Sequence, residues 1–235
     1  EEHVAPGQKI LVCDIGGGTT DFTLIHVRRD ENDRIRFHRV AVGNHLILGG
    51  DNLDLALAHH IENKLVGDDG KLEPRQWSVL VPTCRHAKET LLGESSPETA
   101  VVTLPGSGSR LIGGSLQVEV SRDEVLQLLV DGFLPTVKLD ETPQRRQSGF
   151  QEFGLPYSTD SAITKYLATF LTAHGSEVNE SESTSAKHAR PDIVLFNGGF
   201  FASKTLRRRW LEVLESWFRP VAPDWSPIVL ENDRL

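Results

Sequence analysis

The chain contains no methionine, not even at position 1, and only two cysteines and two tyrosines in 235 residues. The missing methionine predicts a piece of a longer protein. Two cysteines are too few for the disulfide framework of a small secreted domain, and Cys13 and Cys84 stand in unrelated contexts without metal-type spacing. Both read as buried thiols of a reducing compartment, which predicts a cytoplasmic protein. No apolar run approaches the ~20 residues that cross a bilayer, and nothing at the start reads as a signal peptide. Basic charge is also short: 25 Lys and Arg against 33 Asp and Glu leave a net charge of −8. That balance argues against nucleic acid or an acidic membrane as the main partner. The nucleotide pattern G-x-x-x-x-G-K-[ST] and the fingerprint G-x-G-x-x-G are both missing.

What is present is an ordinary globular alternation of strands and helices. Ile10 to Cys13, Asp21 to Val27 and Arg34 to Val42 read as three strands of a sheet joined by short connections. Leu53, Leu57, Ile61 and Leu65 recur at i, i+4, which predicts a helix from Leu53 to Leu65 capped by Asp51 or Asn52. Pro74 leads into a second helix over Val79 to Leu92. Val101 to Leu104 and Gln117 to Val120 read as strands, with a short strand possible in composition at Leu111-Ile112 between them. Ser121-Arg122-Asp123-Glu124 is a capping box that starts a helix to Phe133. A helix is expected over Asp160 to His174, a buried strand over Ile193 to Phe196, an amphipathic helix over Thr205 to Phe218, and a last strand at Ile228 to Leu230. Pro135 to Ser158 reads as a loop. Gly175 to Arg190 has almost no apolar content and is expected to be mobile and dispensable for folding.

Several short patterns have a plain explanation. The Ser in Gly106-Ser107-Gly108 lies in a turn between strands, not on the strand-to-helix turn that a nucleophilic serine needs. His59 and His60 are adjacent on a helix and point about 100° apart, so they do not share one metal face.

Asp14-Ile15-Gly16-Gly17-Gly18-Thr19-Thr20-Asp21 is different. Three consecutive glycines follow a strand, framed by two acids and two hydroxyls. Amides of a tight glycine turn can cradle phosphate oxygens, because no Cβ blocks the approach. Thr19 and Thr20 can donate hydroxyl hydrogen bonds. Asp14 and Asp21 can hold a hydrated Mg2+ against those phosphates. A glycine-rich hairpin would need one or two glycines and no paired acids. Further glycine pairs, Gly49-Gly50 and Gly198-Gly199, lie where an apolar run meets a helix.

Taken in order, these residues resemble the nucleotide-binding domain of heat-shock-70 (DnaK-type) chaperones, within the actin-like ATPase superfamily. The glycine loop looks like that family's second phosphate motif. Leu48 to Asp54 resembles its hinge into a small subdomain, and Cys84 to Leu91 its adenosine-side helix. Val120 to Glu124 resembles the entry to a returning helix, and Asp192 to Gly199 its adenosine motif. The resemblance implies an α/β fold corresponding to lobe II of such an ATPase. A large subdomain with a ribonuclease-H-like mixed sheet would span 1–48 and 124–235, and a small α/β subdomain would be inserted over 49–123. It implies a fragment of a chaperone that binds ATP or ADP with Mg2+ and couples nucleotide state to lobe movement. Lobe I of the same parent chain, client polypeptides and a nucleotide-exchange factor are the implied partners, with no nucleic acid and no membrane.

The implied roles fall on residues of this sequence. Asp14, Thr19 and Asp21 would serve hydrolysis, the two acids acting on the metal through water. Gly16, Gly17, Gly18, Thr19 and Thr20 would contact phosphates. Gly49, Gly50, Lys88, Glu89, Leu92, Gly198, Gly199, Phe200 and Ala202 would surround the nucleoside. The sequence departs from the family on the adenosine side, where Arg85, Lys88, Glu89 and Leu92 stand in place of Glu, Lys, Arg and Ser. Phe200, Phe201 and Ala202 follow the last glycine pair, without the family's arginine. Either phenylalanine can stack on a base or belong to the core. Another actin-like ATPase or sugar kinase, and a scaffold that binds without turnover, are the alternatives. Alone, the chain is expected not to hydrolyse ATP.

Overall fold

A computed structural model describes residues 4–67, 70–106, 114–144, 160–175 and 188–230. The expected turn around Gly106-Ser107-Gly108, the short strand at Leu111-Ile112 and most of the two polar stretches lie outside the described residues, wholly or in part.

Strands β1 (Lys9–Ile15), β2 (Thr20–Arg29), β3 (Ile35–Val42), β6 (Ile193–Asn197) and β7 (Ile228–Leu230) form one mixed sheet in the order β3-β2-β1-β6-β7. β1 is central, and Ile10, Leu11, Cys13 and Ile15 are buried. It pairs antiparallel with β2 and parallel with β6. Register then fixes three polar side chains together at one end of the sheet. Asp14 stands opposite Asp21 on one side and opposite Asn197 on the other.

The face carrying Leu11, Cys13, Ile15, Phe22 and Leu24 is covered by helices. α6 (Lys204–Phe218) buries Leu206, Trp210, Val213, Leu214 and Trp217, the stripe expected from its spacing. Trp210 packs against Phe22 and edge-on to Phe201, with ring centroids 5.9 and 5.5 Å apart. α5 (Ile163–Ala173) adds Phe170 to the same cluster.

The second unit is a hairpin, β4 (Thr99–Pro105) with β5 (Ser115–Ser121), packed on α1 (Gly50–Val66) and α2 (Pro74–Leu91). α2 begins at Pro74 rather than Val79. Proline is preset for the first helical position, and the Glu73 amide donates to Gln76 Oε1 at 3.2 Å. α1 is capped two residues before the nearer of the expected caps, Asp51. Gly49 is the N-cap residue, and Asn52 Oδ1 accepts its amide at 2.8 Å.

The capping box at Ser121 is formed as read: Ser121 Oγ accepts the Glu124 amide and Glu124 Oε2 accepts the Ser121 amide. The helical run behind it is not uniform. α3 (Arg122–Val125) passes into a π-helical stretch (Leu126–Val130) and then α4 (Asp131–Phe133). The residues after it form no helix or strand up to Gln144, yet they are packed. Leu134 and Val137 are buried, and the Trp217 indole donates to the Val137 carbonyl at 2.6 Å.

One expectation about the polar stretch 175–190 is corrected. Its described end is part of the core: Ala189 is fully buried, its amide donates to the Leu171 carbonyl at 2.8 Å, and His188 Nδ1 lies 3.0 Å from Thr172 Oγ1. Composition averaged over sixteen residues hid one small anchor. A deletion that runs through Arg190 removes that anchor and is expected to lower the melting temperature.

Glu124 also ties the two units together. It accepts from Lys64 Nζ of α1 at 2.7 Å and from His60 Nε2 at 3.3 Å. The Lys64 ammonium first, then the Ser121 amide, hold its carboxyl down to about 2. A depressed carboxylate stabilises the fold above its unfolded value near 4.5 and loses that contribution as pH falls through 2. Glu124→Gln is therefore expected to lower the melting temperature at pH 7. The gap from wild type should close between pH 4.5 and 2, as followed by thermal melts across that range.

Candidate phosphate and nucleoside site

The glycine loop leaves β1 at Ile15 and re-enters the sheet at Thr20. Its own turn is closed by the Gly16 amide donating to the Thr19 carbonyl at 2.9 Å. Its carbonyls on one side are taken by a helix start: Gly50 N–H donates to Gly16 O at 3.0 Å and Asp51 N–H to Gly17 O at 2.7 Å. With the carbonyls bound on that side, the amides of Gly17, Gly18 and Thr19 donate to no acceptor among the described residues. Three successive unengaged N–H groups on a tight turn are the donor set of an anion cradle.

Two glycines elsewhere exist to let this loop lie where it does. A Cβ on Gly49 would sit 2.6 Å from Gly17 O and 2.7 Å from Gly16 O. Gly198 has φ +85 and ψ 151, a region open to glycine, and a Cβ there would overlap the Ile15 carbonyl. So Gly49 and Gly198 wedge the loop from both sides. Gly18, by contrast, has nothing within 4 Å of a Cβ position and is exposed. Its lack of a side chain leaves the outer surface of the loop open.

The flanking acids behave as the register requires. Asp14 Oδ2 accepts from Asn197 Nδ2 at 2.9 Å, and Asp21 takes His45 Nδ1 at 2.9 Å. Two hard oxygen donors side by side suit a cation that keeps most of its water, as Mg2+ does. No cluster of three or more His, Cys, Asp or Glu that could hold a metal ion occurs among the described residues.

Thr20 corrects the sequence reading. It is fully buried, and its hydroxyl donates to the Leu48 carbonyl at 2.7 Å. It clamps the loop to the irregular segment that precedes α1 and has no donor left for a phosphate. Thr19 remains half-buried at the loop surface.

Beside the loop lies a cleft of about 200 Å³ between α2 and the turn Gly199–Ala202 that enters α6. Lys88, Glu89, Leu92, Gly199, Phe200 and Ala202, six residues singled out from the sequence, line it. Gly198 serves the loop wedge instead. The two phenylalanines divide the roles left open above: Phe200 lines the cleft, and Phe201 is wholly core, 4.4 Å from Phe196 centroid to centroid. Leu53, Gly93, Ser203 and Leu206 complete the walls. Ser203 caps α6 and its hydroxyl donates to the Leu92 carbonyl at 2.9 Å, which joins the two walls. Lys204 pairs with Glu94 at the same rim.

Sequence reasoning missed the residue behind this cleft. Asp54 is 1 % exposed, and its carboxylate meets Lys88 Nζ at 2.6 Å and Arg85 Nε at 2.7 Å. Arg85 also reaches Asp51 at 2.5 Å. The signal was an aspartate at a position whose helical neighbours, Leu53, Leu57 and Ile61, are apolar. His59, stacked on Trp77 at 4.7 Å, and His60, on Glu124, have structural partners and converge on no metal.

Among known proteins, a family model described as Hsp70 protein matches residues 3–139. A curated relative named chaperone protein HscA homolog, from Burkholderia orbicola, is 31% identical over 135 residues, covering 57% of this chain and 19% of the relative. The protein of the same name from Pseudoalteromonas atlantica is 30% identical over 122 residues, covering 52% and 18%. That from Acinetobacter baumannii is 30% identical over 98 residues. The match thus spans less than a fifth of these relatives' length.

The two wedge glycines and the outer glycine are separable by stability. Gly49→Ala is expected to cost about 1–3 kcal/mol through overpacking against the loop carbonyls. Gly198→Ala should cost more, because contact and φ both oppose it. Gly18→Ala should leave the melting temperature within a degree or two of wild type. Chemical denaturation of the three variants checks the order, and an unstable Gly18→Ala would show that the loop's outer surface is packed.

Proposed function

This chain belongs to the Hsp70 family, and on that premise we propose that it is lobe II of an actin-like nucleotide-binding domain in a chaperone that takes ATP and ADP with Mg2+. One observation carries the reading: the three unengaged amides of Gly17, Gly18 and Thr19 belong to the loop between the paired carboxylates of Asp14 and Asp21. Donors for phosphate and acceptors for a hydrated cation stand together, and the cleft adjoins them through Gly50 and Lys88.

In this reading residues 1–48 and 124–235 form the large subdomain and 49–123 the inserted small one. The five-stranded sheet drawing only on the first set, and the β4–β5 hairpin with α1 and α2 drawing on the second, support that division. The glycine amides and the Thr19 hydroxyl bind phosphate oxygens. Asp14, held by Asn197, and Asp21, held by His45, order the water shell of the cation. Lys88, Glu89, Leu92, Phe200 and Ala202 enclose the nucleoside. When bound, Mg2+ neutralises phosphate charge, which the acidic chain alone does not do. Two buried free thiols, Cys13 and Cys84, fit a reducing compartment such as the cytoplasm; burial pushes Cys84 up to about 12.

The loop, the carboxylates and the cleft make one wall of a site. Phosphoryl transfer needs charge neutralisation around the whole γ-phosphate. Lobe I of the same parent chain supplies the opposite wall, and client polypeptides and an exchange factor are read out elsewhere in the intact protein. The cleft's Glu89 and Leu92 favour one second reading, a scaffold that no longer turns over nucleotide.

Calorimetry of ADP and ATP against the intact protein separates the two readings; no heat at millimolar nucleotide would leave the scaffold. In the intact protein Asp14→Asn is expected to slow hydrolysis about 100-fold, as loss of an electrostatic group does, and His59→Ala to leave it unchanged. Gly18→Ala should weaken ADP about tenfold with no loss of stability, because a Cβ there meets ligand and not protein. The 235-residue chain by itself is expected to show no turnover. Hydrolysis by the isolated chain that Asp14→Asn abolishes would overthrow the need for a second lobe.

A further inference from the structure

Charge is distributed unevenly along this acidic chain. Residues 26–39, the facing parts of β2 and β3 with their turn, hold five arginines and two histidines against Asp30, Glu31 and Asp33, while the whole chain carries −8. β3 is the outer strand of the sheet, so this stretch lies along an open edge. Register sets like against like: Arg28 stands opposite Arg36, and His26 opposite His38. Like charges directly opposite each other cost stability, so the fold gains nothing from facing Arg28 with Arg36.

The turn neutralises part of the strip. Asp30 takes Arg36 Nε at 2.9 Å, and Asp33 takes Arg29 Nη1 at 2.6 Å. Arg34 and Arg39 are exposed and pair with no carboxylate among the described residues. Between them in sequence, Phe37 is 56 % exposed and stands opposite the buried Val27. Cations on an outer strand have a plain use, since they deter edge-to-edge pairing. A large exposed phenylalanine in their midst works against that use. Arginine around an exposed aromatic is instead the composition of protein interfaces.

We propose that this edge of β2 and β3 docks an acidic polypeptide segment of a partner protein. Its carboxylates pair with Arg34 and Arg39, and one of its apolar side chains covers Phe37. Sign decides the class of partner, because a basic segment would meet five arginines. A nucleic-acid backbone or an anionic bilayer presents continuous negative charge. It would face Asp30, Glu31 and Asp33 at the turn and the acidic remainder of the chain, whereas a polypeptide places its carboxylates one by one. The docking surface stands apart from the nucleotide reading, since none of these residues belongs to the glycine loop or the cleft.

The test uses the intact protein and a labelled oligo-glutamate peptide with one central leucine, followed by fluorescence anisotropy at low and at physiological salt. The peptide is expected to bind, and to bind more weakly at the higher salt as exposed charges are screened. Arg34→Glu combined with Arg39→Glu should weaken binding at least about tenfold, because attraction becomes repulsion at both positions. Phe37→Ser should weaken it about fivefold and leave its salt dependence as in wild type, because the lost contact is apolar. All three side chains are exposed, so both variants should melt within about a degree or two of wild type. Phe37→Ser decides the matter alone if the charge reversal fails to fold. An oligo-lysine peptide with the same leucine should not bind. An acidic peptide that does not bind, that binds either folded variant as well as wild type, or that is matched by oligo-lysine would overturn the docking surface. Tighter binding of a single-stranded oligonucleotide or of phosphatidylserine vesicles would overturn it too, by assigning the strip to another class of partner.

Discussion

The contact on which the rest of the site depends is between two carbonyls and the start of a helix. Gly16 O and Gly17 O accept the first amides of α1. A helix start offers unpaired N–H groups and a partial positive charge, and it is often the place where an anion binds. Here the protein's own backbone takes those groups. The consequence is a reversal of direction: because the loop's carbonyls turn inward, its amides turn outward. The donor set belongs to the loop, and the helix supplies orientation. Gly49 and Gly198 are needed because that contact brings backbone against backbone with no room for a Cβ.

The same helix start sets the geometry of the cleft. α1 is fixed to the loop at one end and to α2 by the buried charges of Asp54, Lys88 and Arg85. α2 meets α6 through Ser203 on the Leu92 carbonyl and Lys204 on Glu94. The path from loop to cleft is thus a continuous chain of polar contacts through α1, α2 and α6. Removing one partner of the buried group leaves a charge without its counter-ion, which is costlier than losing a surface pair. Arg85, half exposed, can relax toward Asp51, whereas Lys88 cannot leave as easily.

Much of this was legible in the residues. The strands around Cys13 and Phe196, the stripe on α6 and the box at Ser121 follow from period and capping chemistry, which are local. The glycine loop was legible because three glycines between two acids have few other uses. What local pattern could not show was where each hydroxyl goes. Thr19 and Thr20 are neighbours of one type, and only the bridge between Thr20 and Leu46 turns one of them inward. The cap of α1 was misplaced for a related reason. Asp51 is a good cap by type, but its amide is engaged by Gly17 O, which moves the helix start back to Gly49. Asp54 was missed because its value lies in a partner thirty-four residues away, and Ala189 because one small side chain carries little weight in a polar stretch.

The walls of the cleft carry the argument a step further. Leu53, Leu92, Phe200, Ala202 and Leu206 make it mainly apolar, with Lys88 turned toward Asp54 and Glu89 at the margin. A pocket built from guanidinium groups holds a base by cation–ring stacking, at about 0.5–2 kcal/mol for each cation. A pocket built from carbon holds one by burial. At about 25 cal/mol per Å², covering roughly 100 Å² of ring surface contributes ~2.5 kcal/mol, the same order as two such stacks. The absence of the family's arginines, with Glu89 standing at one of their positions, therefore need not weaken retention of a base. It changes what is discriminated. Stacking cations respond to the electron distribution of the ring, whereas apolar walls respond to its size and flatness, so on the nucleotide reading proposed above this cleft would select by shape rather than by charge.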